Sequence, residues 1–149
     1  MTDQELREQF ERGTLPNECF RHREHVRMAF LYLTEYPALR ALQVFSEALQ
    51  RFATAHGKPQ LYHETITWAY ILLIRERMAR AGRREDWEEF ARHNADLLRW
   101  KNGVLQQYYR KETLTSDLAR STFVFPDRCA SCESCGGNAD AESLWQDQG

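Results

Sequence analysis

The chain has 149 residues, of which 42% are hydrophobic and 28% charged, and its net charge is −2. That length is enough for one domain with its own core, and the balanced charge without a basic stripe argues against a nucleic-acid partner. No apolar stretch approaches the roughly 20 residues that span a bilayer, and the acidic N-terminus does not resemble a secretory signal, so we expect a cytoplasmic protein without a membrane partner.

Helical patterns follow one another along almost the whole chain, and prolines and glycines separate them. The only strand-like pattern is the short run that begins at Thr122. We therefore predict an all-α fold, a single-domain bundle of about five to seven helices. A segment near residues 60–81 is apolar nearly all the way round, which is typical of a central buried helix. The predicted helices cover residues 3–12, 20–36, 38–56, 60–81, 85–100 and 104–110, with a last short helix capped by residues 115–117.

Composition changes near Pro126, and we predict a helical bundle domain over residues 1–125 and a flexible acidic tail over residues 126–149. Five acidic residues and one basic residue fall in the tail. It also contains Cys129, Cys132 and Cys135, a spacing that suits metal binding or redox chemistry. A closed metal site needs a fourth ligand, which the tail does not supply, so incidental thiols are the alternative.

Two histidines share the apolar side of the second predicted helix. At 100° per residue His25 lies 60° from His22, on the same stripe as Val26, Ala29 and Leu33. Polar side chains on a buried face lower stability unless something pairs with them. A satisfied core histidine is the simplest explanation for one such residue, but two that are one turn apart suit a pair of metal ligands or a proton relay.

Connectivity predicts that further polar residues lie at the same end of the bundle. Short loops at Pro37 and Gly57 make neighbouring helices antiparallel, so the second and fourth helices run parallel. His63 and Glu64, at the start of the fourth helix, then lie near His22 and His25. The fifth helix returns to this end, where we expect these residues: Trp100, Lys101, Asn102, Tyr108, Tyr109 and Arg110.

This set of side chains predicts a metal centre held by His22, His25 and His63. Neutral imidazoles suit a divalent metal, zinc first and iron as the alternative, and three protein ligands leave a position open for water. Glu64 is then a fourth ligand or the base that takes a proton from that water. We expect Glu64, Tyr109 and Arg110 to be the catalytic residues. A metal-free alternative pairs His63 with Glu64, or the other two histidines with each other, as acid and base.

Two segments resemble a group of small bacterial proteins with no established activity. The first is Phe-x-His-x-x-His-Val-Arg-x-Ala, over residues 20–29, and the second is Tyr-His-Glu-Thr-Ile-Thr, over residues 62–67. The resemblance extends through the Asp-Leu-Ala-Arg run at residues 117–120 and stops near Pro126. It implies a bacterial cytosolic domain and says nothing of a reaction.

The sequence therefore favours a small bacterial protein with a metal-binding histidine site, acting as a metal-dependent enzyme on a small molecule. The main alternative is a non-catalytic protein-interaction domain, in which Trp87, Trp100 and Tyr108 form a contact surface. A metal sensor or carrier that uses the cysteine tail is the third. A small-molecule ligand is the expected partner, and the sequence is also compatible with a homo-oligomer.

Overall fold

The structure, a computed structural model, describes residues 1–128. Within this range it contains seven α-helices, four short 3₁₀ helices and no strand, so the predicted all-α fold is confirmed. The α-helices are α1 (Asp3–Arg12), α2 (His22–Glu35), α3 (Ala38–Ala55), α4 (Glu64–Arg80), α5 (Trp87–His93), α6 (Lys111–Leu114) and α7 (Asp117–Ser121). The 3₁₀ helices are Asn17–Cys19, Pro59–Leu61, Ala95–Leu98 and Val104–Gln107.

The ends of the long helices follow from residues that stop a helix. Gly13 and Gly57 have φ angles of 71° and 70° after α1 and α3, a left-handed conformation that glycine adopts without steric strain. Pro37 ends α2, because the residue before a proline is disfavoured in helical conformation; Tyr36 is accordingly extended, with ψ 152°. These stops produce the short connections that make α2, α3 and α4 neighbours.

The core forms where α2, α3 and α4 pack against one another, and α4 also contacts α7. This arrangement confirms a central helix within the predicted segment 60–81. Ile71 and Ile74 of α4 are fully buried, whereas Leu72 reaches the surface. The other largest fully buried side chains of the described residues are Phe10, Leu15, Val26, Met28, Tyr32, Thr65, Phe90 and Leu97.

The fifth predicted helix is shorter than the pattern over residues 85–100 suggested. It begins after Asp86, whose side chain accepts the Glu89 N–H, and it ends at His93. The Asn94 side chain donates to the Phe90 carbonyl oxygen at 2.9 Å, the oxygen that the backbone N–H of residue 94 would use if the helix continued. The predicted helix over residues 104–110 is likewise a 3₁₀ helix, and α6 was not predicted.

The segment after α7 is extended but pairs with no strand among residues 1–128. Thr65 Oγ1 donates to Thr122 O at 2.8 Å and accepts from Val124 N at 3.1 Å, so the segment runs against α4. Arg128 N donates to Tyr108 O at 2.9 Å, beyond the predicted boundary at Pro126. The predictions for the tail cysteines Cys129, Cys132 and Cys135 fall on residues outside the described range.

None of the helices between residues 1 and 128 has both the length and the apolar character needed to cross a membrane.

Candidate functional site

A cavity of about 480 Å³ opens between α2, α3 and α4. This size is within the range of small-molecule binding sites, roughly 300–1,000 Å³. Stripes at helical spacing form the walls: positions 22, 25, 26 and 29 on α2, positions 45, 49, 52 and 53 on α3, and positions 66, 67 and 70 on α4. The apolar lining consists of Phe20, Val26, Ala29, Phe45, Leu49, Phe52, Ala53, Leu61, Ile66 and Trp100.

Four of the five histidines line this cavity: His22, His25, His56 and His63. The first turns of both α2 and α4 line the cavity, so His22, His25 and His63 lie at the same end of the bundle, as the loop lengths predicted. Trp100 also reaches the cavity, with 58% of its surface exposed. The end of the bundle that the sequence indicated therefore contains a concave site.

His63 is the N-cap of α4, and both of its ring nitrogens are hydrogen-bonded. Nδ1 accepts the Ile66 N–H at 3.1 Å, which satisfies a donor of the first helical turn. Nε2 lies 2.7 Å from Leu114 O, and because a carbonyl only accepts, Nε2 carries the proton. Burial lowers the pKa of His63, an effect that the Leu114 carbonyl opposes and the nearby charge of Arg120 reinforces. The ring is neutral and fixed in one tautomer.

His22 has one ring nitrogen in a hydrogen bond with the backbone. Its Nε2 lies 2.8 Å from Leu97 O and so carries the proton, which leaves Nδ1 as the acceptor of the neutral ring. The ring meets Tyr70 edge-on, with centroids 4.9 Å apart, and contacts Trp100 at 5.3 Å. Burial lowers the pKa of His22, while the Leu97 carbonyl and the Glu24 carboxylate act in the opposite direction.

His25 stacks on Phe20, with ring centroids 4.1 Å apart. Burial lowers the pKa of His25 to about 4, and the neighbouring His22 contributes in the same direction. His56, the C-cap of α3, donates from Nε2 to Leu15 O at 3.0 Å, because a carbonyl oxygen only accepts. The lowered pKa values of His22, His25 and His63 keep these three rings mainly neutral at pH 7.

Basic side chains complete the lining, and acidic side chains are absent from the part of it that residues 1–128 form. Arg21 and Lys58 are exposed, Arg120 is partly buried, and no Asp or Glu of the described range is among the lining residues. Nothing in the local sequence around Lys58 or Arg120 predicted that these residues line the cavity. Helices α2 and α4 also both begin at this end, and the N-terminus of a helix carries a partial positive charge.

The three residues predicted to be catalytic do not line the cavity. Glu64 Oε1 accepts from Tyr62 OH at 2.5 Å and from Trp68 Nε1 at 2.8 Å. Tyr109 is buried, and its hydroxyl donates to Val124 O at 2.8 Å. Arg110 is exposed, and its backbone N–H donates to Asp127 Oδ1 at 2.9 Å. Their catalytic roles stay predictions, and these contacts give each residue a structural function.

Two phenols that sequence reasoning treated as packing or left out line the cavity, Tyr62 and Tyr70. Burial raises the pKa of each to about 12, so both keep their protons. Tyr70 follows His63 by seven residues, two helical turns on the same face, and this spacing was the signal that could have identified it. The interaction-domain alternative placed Trp87 in a contact surface, but Trp87 is 4% exposed and packs against Phe30.

The predicted three-histidine metal centre does not match the hydrogen bonding of His63, whose two ring nitrogens are both in use. A histidine ligand needs one unprotonated nitrogen for the metal and uses the other for an outer hydrogen bond. Within residues 1–128, no group of three or more His, Cys, Asp or Glu side chains has the geometry to hold a metal ion. His22, by contrast, has the backbone partner and the remaining acceptor that a ligand or a base requires.

No family model, curated protein or solved structure matches this chain. The resemblance to a group of small bacterial proteins stays a prediction.

Proposed function

We propose that this chain is an enzyme that acts on a small molecule bound in the cavity between α2, α3 and α4. The observation that carries the proposal is the lining itself: four histidines and two phenols among mainly apolar walls. Surface histidines are common, whereas a concave apolar site with a few convergent polar groups is the usual form of a ligand-binding or catalytic site.

His22 is the group best suited to take a proton from a bound substrate. The hydrogen bond from Nε2 to Leu97 O fixes the ring and its tautomer, and Nδ1 is then the basic atom. A base must be unprotonated to act, and a lowered pKa keeps His22 so at pH 7. His25, one turn away, is neutral as well and supplies a second polar ring to the same site.

Whether the enzyme uses a metal ion is a separate question that metal analysis tests directly. The reaction step proposed for His22 does not require a metal ion. His22 and His25 are the two predicted ligands that keep a ring nitrogen outside the backbone hydrogen bonds described above. A bacterial, cytoplasmic setting is part of the proposal and rests on the resemblance.

A protein-interaction domain is the second candidate. It is favoured by the carbonyl groups of Leu15, Leu97 and Leu114, which give three of the four cavity histidines a structural hydrogen-bond partner. In that case the cavity contains no group that has to react, and replacing His22 has no chemical consequence.

Hydrolysis of p-nitrophenyl acetate tests the enzymatic proposal, because a basic or nucleophilic imidazole in an apolar site accelerates the cleavage of this ester. We expect His22→Gln to lower the rate about tenfold or more, a typical contribution of a positioned base being roughly 10²–10⁴. His93→Gln is the matched control, because His93 is paired with Glu85 away from the cavity. Equal losses in both variants, or no loss in His22→Gln, would overturn the catalytic proposal and favour the interaction domain.

A further inference from the structure

We propose that the ligand of this cavity is an apolar molecule that carries one acidic group, with the acidic group beside Arg120 and Lys58. This inference rests on the proposed function, since it names the class of molecule that the same cavity binds. It follows from the charges and the walls of the site.

The charge of the lining has one sign. Arg21, Lys58 and Arg120 contribute positive charge, and no carboxylate of the described residues lies on the wall. Elsewhere in residues 1–128 the partly buried arginines have acidic partners: Arg27 pairs with Asp3 at 2.5 Å, and Arg77 pairs with Asp96 at 2.7 Å. No such ion pair involves the three cavity cations among the described residues, so their charge is available to an anion.

Arg120 is the best placed of the three cations. It is partly buried, and its Nη1 donates to Gln60 O at 2.9 Å, a bond that holds the guanidinium while leaving its other donors free for an anion. Its charge is close enough to His63 to lower the pKa of that ring. A guanidinium that is held in place and partly shielded from water binds an acidic group more strongly than an exposed lysine does.

The rest of the cavity requires an apolar body. Phe20 and Phe52 form an aromatic wall with centroids 4.8 Å apart, and Leu49 and Ile66 add aliphatic surface. A polyanion such as a nucleotide has too little apolar surface to cover this wall. A molecule with one acidic group on a ring or alkyl body matches both the apolar wall and the basic side chains.

Two fluorescent probes that differ by one acidic group test the inference. 1-Anilinonaphthalene-8-sulfonate carries a sulfonate, and N-phenyl-1-naphthylamine has the same aromatic body without it. We expect the anionic probe to bind about tenfold more tightly at low salt, and this advantage to shrink as salt screens the charges. Equal affinities would overturn the inference while leaving a small-molecule cavity intact.

Variants identify where each probe binds. Ala53→Phe fills the cavity from α3 and should abolish binding of both probes, whereas Ala79→Phe, on the exposed surface of α4, should leave both unchanged. If Ala53→Phe leaves both affinities unchanged, the cavity is not a binding site and the proposed function fails together with the inference.

Charge variants isolate the acidic group. We expect Arg120→Gln to weaken the anionic probe about 5- to 10-fold and Lys58→Gln about 2- to 5-fold, with the neutral probe unchanged. Arg92→Gln and Lys111→Gln, exposed and outside the cavity, are the matched controls. Losses of the same size for both probes would mean that Arg120 shapes the cavity without binding an anion, which overturns the inference.

A third set of probes identifies the chemistry of the acidic group: benzoate, phenyl phosphate and benzamide. The measurement is the NMR chemical-shift change that each probe causes at the backbone amides of Arg120 and His63. Saturable shifts with benzoate or phenyl phosphate and none with benzamide support the inference, and the tighter of the two acids identifies a carboxylate or a phosphate. Shifts of the same size with benzamide contradict it.

Discussion

His63 donates from Nε2 to the carbonyl oxygen of Leu114 at 2.7 Å, which ties the start of α4 to a residue 51 positions later in the chain. The other ring nitrogen accepts the Ile66 N–H, so the same side chain also caps the helix. One neutral imidazole therefore fixes a wall of the cavity and joins the central helix to the C-terminal end of α6.

Replacing His63 should destabilise the fold. His63→Ala removes the helix cap and leaves the Leu114 oxygen without its donor, so we expect the free energy of unfolding to fall by about 2–4 kcal/mol. His63→Asn is the informative partner variant, because asparagine is a good N-cap but is too short to reach Leu114. It should recover about half of the loss in urea denaturation. Unchanged stability in His63→Ala would contradict the hydrogen-bonding scheme.

Metal content distinguishes this structural role from the predicted metal centre. If His63 uses both nitrogens in hydrogen bonds, protein purified without chelators or an affinity tag should contain the same amount of zinc and iron in the wild type and in His63→Asn. Elemental analysis of both proteins is the measurement. One metal ion per chain in the wild type that is lost in the variant would support the three-histidine site instead.

The order and the ends of the long helices could be predicted because the residues that end a helix act on their immediate neighbours in the chain. Pro37 and Gly57 are such residues, and α3 was predicted to within one residue at its C-terminal end. The predicted length of α5 was wrong because the side chain of Asn94 hydrogen-bonds the Phe90 carbonyl oxygen in place of a helical N–H. That bond depends on a side-chain conformation that the hydrophobic pattern does not specify.

The candidate site was predicted only in part for the same reason. His22, His25 and His63 were expected at one end of the bundle and do line one cavity. The partners of their ring nitrogens are carbonyl groups, which every residue possesses, so no residue type reveals them. Lys58 and Arg120 come from a loop and from α7, and tertiary packing alone brings them together.

Variants of Glu64 test whether this predicted catalytic residue has a structural role instead. Glutamine keeps an oxygen that can accept from Tyr62 and Trp68, so Glu64→Gln should change the free energy of unfolding by less than about 1 kcal/mol, whereas Glu64→Ala should lower it by about 1–3 kcal/mol. We also expect Glu64→Gln to hydrolyse p-nitrophenyl acetate at the wild-type rate. A large loss of rate with unchanged stability would restore Glu64 as the catalytic base.

Thr65 should control how firmly the segment after α7 is attached. Thr65→Val removes the hydroxyl that donates to Thr122 and accepts from Val124, and we expect a loss of about 2–3 kcal/mol because both partners lie against a buried side chain. Thr65→Ser keeps the hydroxyl and is the control. Hydrogen exchange at the Val124 amide should accelerate in the valine variant alone; equal exchange in both variants would show that other contacts hold the segment.

Acidification should weaken the fold through His25. The pKa of His25 is about 4 in the folded chain, where burial opposes the charged form, against 6.5 for an ordinary histidine. Between these values the unfolded chain binds more protons than the folded one, so stability is full above pH 6.5 and falls as the pH is lowered toward 4. The lowered pKa values of His22 and His63 act in the same direction.

The variant His25→Gln isolates this contribution, because glutamine does not titrate. We expect urea denaturation between pH 7 and pH 4.5 to give a smaller slope of stability against pH in the variant, by up to about 1.4 kcal/mol per pH unit. The difference in slope is the quantity to compare, since the loss of stacking on Phe20 shifts the stability of the variant at every pH. A wild-type His25 ring that titrates above pH 6 by NMR, together with parallel slopes, would contradict the neutral state assigned to His25.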